Sequence, residues 1–126
     1  MMSNSYPPLD QTPHPRDPRS REISPGLPDG NYVFVQDESG SIHVLPDGPH
    51  THPRVLGAAR SAKYAGDLRI EGGTIRDVTN LSGTFQCDDP DGLRDVAFVL
   101  RGLGFVVRPG AVRFFPQDGS RPIILH

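Results

Sequence analysis

Tyr64-Ala65-Gly66-Asp67-Leu68-Arg69-Ile70-Glu71, then Gly72-Gly73, then Thr74-Ile75-Arg76-Asp77-Val78-Thr79, is the stretch that decides the fold. Its first run alternates: Tyr64, Leu68 and Ile70 share one face of an extended chain, and Asp67, Arg69 and Glu71 take the other. Two adjacent glycines supply the positive φ angles that a two-residue hairpin turn demands. In the second run Ile75 and Val78 are an odd number of residues apart, so strict alternation would place them on opposite faces. A β-bulge near Arg76-Asp77 returns both to the Leu68/Ile70 face. The hairpin leaves through Asn80-Leu81-Ser82-Gly83, a cluster of turn residues.

Outward from the hairpin, residues 1–28 hold seven of the 14 prolines and only scattered apolar residues (Tyr6, Leu9, Ile23, Leu27). That composition predicts a disordered tail with polyproline II character, dispensable for folding. Pro15-Arg16-Asp17-Pro18 and Pro25-Gly26-Leu27-Pro28 match a proline-x-x-proline ligand pattern that is common in such tails. Residues 29–126 then form one small domain. Tyr32-Val33-Phe34-Val35 and Ile42-His43-Val44-Leu45 read as a strand pair around Asp37-Glu38-Ser39-Gly40, with both faces at least partly covered. Small residues over 54–62 allow one irregular helical turn.

Downstream, Asp88 or Asp89 can cap a helix that Pro90 opens, and Leu93, Val96, Ala97, Leu100 and Leu103 form its apolar stripe. Gly102 or Gly104 ends it. Three short strands follow, around Phe105–Arg108, Ala111–Phe115 and Pro122–Leu125. The expected fold class is α+β: a mostly antiparallel sheet of about six or seven strands packed on one helix over residues 90–102, in the order ββ, ββ, α, βββ.

Composition narrows the function classes. A formal net charge of −2 argues against nucleic acid and against anionic membrane as partners. No run approaches the ~18 apolar residues of a membrane span. A single cysteine excludes an internal disulfide and fits a reducing compartment. With no signal-peptide pattern at the start, the expected location is the cytoplasm. Twelve of the 13 basic residues are arginine, which points to a GC-rich bacterial genome.

Several residues could carry chemistry. His50 and His52 form a His-x-His pair on a proline-rich loop, as general-base candidates; no second pair completes a metal site, so neither metal nor cofactor is expected. Ser82, Thr84 and Cys87 are candidate nucleophiles. Ser82 lacks the Gly-x-Ser-x-Gly elbow. Cys87 precedes a helix N-terminus, which lowers a thiol pKa, but Asp88, Asp89 and Asp91 oppose a thiolate. Arg54, Arg60 and Lys63 lie in a stretch without acidic residues and could bind an anion. Gly102-Leu103-Gly104 follows a helix and is no dinucleotide fingerprint.

The central stretch also resembles a pattern of small uncharacterised bacterial domains, some found in toxin or effector contexts. Ala65-Gly66-Asp67, Gly73, Ile75, Asn80, Ser82-Gly83 and Phe85 match it. Related versions carry Glu at the position of Asp67 and His-Tyr at Thr84-Phe85, so no catalytic residue carries over. The expected function is a small bacterial binding or regulatory module acting through protein contacts, linked to a toxin or effector system. The alternative is a small toxin-type transferase or hydrolase that uses the His50/His52 loop beside the Ser82–Cys87 turn. In that case the two loops converge in one pocket. Partner identity and oligomeric state are not written in the sequence.

Overall fold

A computed structural model describes residues 5–48, 52–82 and 84–125. His50, and Gly83 of the resembling pattern, lie outside the described residues. The hairpin forms as expected from β4 (Tyr64–Glu71) and β5 (Thr74–Thr79), with Gly72 and Gly73 at φ 63° and 75°. The Asp29 carboxylate accepts both turn N–H groups, at 2.8 and 3.2 Å. Ile70 pairs with Ile75 and Arg69 with Asp77, which leaves Arg76 as the extra residue of a bulge. The bulge puts Ile75 and Val78 on one face, both fully buried.

β2 (Gly30–Gln36) pairs antiparallel with β4 from Gly30↔Ile70 to Gln36↔Tyr64. On its other side it pairs with β3 (Ile42–Pro46), and β3 with β1 (Arg21–Glu22). Beyond β5 come β6 (Val106–Val107) and β7 (Val112–Phe114), both parallel to β5, and β8 (Ile123–Ile124) antiparallel to β7. The sheet therefore has eight strands and is mixed, larger than the mostly antiparallel sheet of six or seven strands expected. The cause is α2 (Pro90–Gly102), which packs against β4, β6 and β7 and carries the chain back along β5. A helical crossover of this kind makes the next strand run parallel.

The bounds of α2 match the expected 90–102. Asp89 caps it by accepting from the Asp91 N–H, Pro90 opens it, and Leu93, Val96, Ala97 and Leu100 are buried. Leu103 departs from the expected stripe: it is the C-cap residue and is exposed. A second helix, α1 (His52–Leu56), packs against β2 and β3, earlier than the turn expected over 54–62. It is followed by three residues at positive φ, Gly57, Ala58 and Ala59. Two non-glycine residues in succession there cost backbone strain.

The proline-rich N-terminal segment is the main departure. From Ser5 onward it is placed along the domain as a strap, where composition alone predicts a disordered tail. Tyr6 and Ala62 exchange backbone hydrogen bonds, the Leu9 N–H donates to Thr84, the Ala58 N–H to His14, and the Asp17 N–H to Arg54. The buried Ser20 hydroxyl donates to the Val55 carbonyl at 2.7 Å. Ile23 is only 2% exposed, and the Tyr6 ring meets Tyr64 edge-on at 6.1 Å. Composition predicts whether a segment can bury its own surface; it is silent on surface offered by α1 and the loops beside it.

Two stability measurements follow. Deleting residues 1–28 uncovers the Ile23 site and removes these bonds, and should lower the Tm by more than about 8 °C; a shift of a degree or two would show that the strap contributes nothing. Leu100→Ala, at the buried centre of α2, should cost about 2–5 kcal/mol in denaturant unfolding.

Candidate functional site

α1 places His52 against the sheet. Its imidazole is buried, and Nε2 lies 2.9 Å from the Gly66 carbonyl oxygen. That bond requires Nε2 to carry a proton and donate. Burial pulls the histidine pKa down, while the Gly66 bond and the charge of Asp47 act in the opposite direction. His52 is therefore a neutral imidazole at pH 7, held in one tautomer by a backbone carbonyl. Around it lies a narrow cleft lined also by Asp10 and Thr12 of the strap, by Ala59 and Arg60, and by Phe85.

Among the described residues, the Ser82–Cys87 turn contributes Phe85 to this cleft beside His52. Ser82 does not line the cleft: its hydroxyl oxygen accepts from the Thr84 and Phe85 N–H groups, both at 3.1 Å, and so shapes the turn. Cys87 is fully buried. Desolvation, with a smaller contribution from Asp88, pushes its thiol up to about 12 against the Ala65 backbone bond. A thiol in that state is not a nucleophile near neutral pH. His43, near the pair in sequence, is bound elsewhere, with Nε2 2.7 Å from Asp37 in the β2–β3 turn. Among the described residues no three His, Cys, Asp or Glu side chains stand together as a metal site.

The cationic candidates do not gather either. Lys63 reaches Asp95 of α2 at 3.4 Å. Arg54 is exposed on α1 near Asp17, and Arg60 stands on the rim of the cleft.

Two polar groupings escaped the sequence reading. Asn80, 2% exposed, donates from Nδ2 to the carbonyls of Cys87 and Phe115, both at 2.9 Å, and accepts the Phe115 N–H at 2.7 Å. In the sequence it reads as a turn residue and as part of the resembling pattern. The second grouping lies on the charged face of the hairpin. Arg113 holds Asp77 through two bonds of 2.7 Å and lies over the Phe115 ring at 5.2 Å. Near Asp77 stands half-buried Asp67, whose carboxyl is pushed up to about 6 by burial first, then by Asp47 and Asp77. Alternation placed Asp67 on that face, but nothing local signalled its like-charged neighbours.

No family model matches the chain, and neither do curated proteins or solved structures. Among the described residues no helix is long and apolar enough to cross a membrane.

Asp67 gives a pH test. Its carboxyl ionises less readily folded than unfolded, so the native state binds more protons between about 4 and 6. The resulting penalty is complete above pH 6 and is relieved as pH falls towards 4. Asp67→Asn should raise stability at pH 7.5 by roughly 1 kcal/mol after allowance for solvent screening. The gain should vanish by about pH 4 in parallel urea titrations. A gain independent of pH would place the effect elsewhere.

Proposed function

We propose that this chain is a small binding or regulatory module that acts through protein contacts, in a bacterial cytoplasmic setting. The resemblance of residues 64–85 supports a place in a toxin or effector system. One observation carries the reading. The candidate catalytic groups of the described residues are engaged in holding the fold: His52 on Gly66, Ser82 on its own turn, Cys87 sealed in the core. Large apolar side chains, by contrast, are presented to solvent by α2, β6 and β8. Phe98 is 73% exposed, and Val106, Ile123 and Ile124 are exposed as well. Isolated exposed side chains are ordinary, but aromatic and aliphatic groups on rigid elements are the anchors that protein interfaces use.

The enzyme reading draws on one specific feature: His52 and Phe85 share a cleft whose edge includes the strained Ala59. Strain of that kind collects at functional sites. The cleft has room for little more than a water molecule and none of the candidate nucleophiles lines it, which favours the binding module.

The two readings separate in one capture experiment. The tagged chain is crosslinked in its host, beside a Ser82→Ala/Cys87→Ala variant and a Phe98→Asp/Ile123→Asp variant. In the binding module the first variant retains the wild-type partner and the biological output, and the second loses both. Loss of output in the first variant, with partner capture and circular dichroism unchanged, would overturn the proposal in favour of catalysis.

A further inference from the structure

A second concavity, sharing no lining residue with the His52 cleft, is built on β1, β2 and β3. Arg21 pairs with Val44 across β1 and β3, and Tyr32 with Pro46 across β2 and β3. Tyr32, Val44 and Pro46 form an apolar floor, Leu27 and Pro28 a wall, and Arg19 and Arg21 a cationic rim. The pocket has a volume of about 190 Å³. Its wall is tied to its floor, because the Tyr32 hydroxyl donates to the Pro28 carbonyl at 2.6 Å. The site is thus pre-formed. The second proline-x-x-proline segment, read in the sequence as a ligand pattern, contributes this wall.

Size and charge select the occupant. Drug-sized ligands occupy pockets of roughly 300–1,000 Å³, so this one is scaled to a single bulky side chain. The two arginines are not equivalent. Arg19 is already held by the Asp17 carboxylate at 3.0 and 3.2 Å. Arg21 has no ion-pair partner among the described residues, and its charge bears on the Tyr32 hydroxyl. An apolar anchor with one unpaired guanidinium at its rim fits an aromatic or branched aliphatic side chain next to a carboxylate.

Building on the binding-module reading, we propose that this pocket seats a Phe or Leu side chain of a partner protein, with an adjacent Asp or Glu paired to Arg21. The apolar side chain supplies the affinity, as buried anchors do at interfaces, and the carboxylate fixes its orientation. The Leu27–Pro28 wall, tied to Tyr32, offers this anchor a pre-formed surface, which limits the ordering cost of binding.

The probe is an N-acetylated, C-amidated peptide, Gly-Glu-Phe-Gly, titrated to millimolar concentration into the full chain labelled with ¹⁵N. The expected result is shift changes centred on Arg21, Leu27, Tyr32 and Val44. Binding should weaken roughly fivefold for the peptide with Gln in place of Glu and for Arg21→Gln. Replacing the peptide's Phe by Ala should weaken it more than about thirtyfold. Arg21 is exposed, so its substitution leaves the fold intact. No shift changes at the pocket, or changes indifferent to both Phe and Arg21, would overturn the proposal. So would tighter binding of free 3-phenylpropionate than of the peptide, which would make this a small-molecule site. Partner capture then distinguishes the two levels of argument. If Arg21→Gln leaves the partner's apparent affinity unchanged in titrated capture while Phe98→Asp/Ile123→Asp loses it, the module reading stands and the pocket proposal falls.

Discussion

Gly66 has no side chain, and three other parts of the molecule rely on the space that leaves. A β-carbon there would stand 1.7 Å from the Thr79 carbonyl oxygen and 3.0 Å from the Phe34 ring. The backbone of β5 therefore ends in direct contact with β4, and no side-chain adjustment could relieve that contact for a larger residue. The Gly66 carbonyl, in turn, fixes the His52 ring. From this crossing the chain enters Asn80, whose amide joins the end of β5 to Cys87 and to the exit of β7. The approach to α2, the parallel strands after it and the seat of α1 all depend on a close contact at one residue.

That arrangement explains why residue types associated with reactivity are engaged in holding the fold here. A buried polar group must find a partner or impose a desolvation cost, and in a domain of this size most such groups are satisfied by backbone. His52 and Asn80 meet carbonyls, Ser82 meets N–H groups, and Cys87 behaves as a small apolar side chain. The groups with unsatisfied electrostatics lie elsewhere. Asp67 stands among like charges, and Arg21 stands at the rim of an apolar hollow.

Much of the fold was legible because its determinants are local. Turn glycines, the odd spacing of Ile75 and Val78, and the capped stripe of α2 each speak through neighbours a few residues away. The parallel pairing of β6 and β7 with β5 was not legible. It depends on where α2 returns the chain, which periodicity does not encode. The same holds for the Arg113–Asp77 pair, 36 residues apart, and for the strap, whose partners are backbone groups of remote loops. For the candidate site, the sequence named His52, Ser82 and Cys87 as chemical types. It could not show that burial and backbone partners neutralise them. Arg21, Tyr32 and Val44 gave no signal, since their common pocket exists only once three strands are assembled.

The strap also sets an order of events during synthesis. Tyr6, Leu9, His14 and Asp17 leave the ribosome well before Ala62, Thr84, Ala58 and Arg54, the residues that receive them. Until that later stretch has emerged and α1 has settled on the sheet, the strap has no surface to join. Its loop closures are among the longest in the N-terminal half and the most costly in chain entropy. The strap, made before its partners, is therefore among the last segments to be fixed. By the same logic it is among the first to open: it can peel away by releasing backbone bonds one at a time while the hairpin and α2 stay packed.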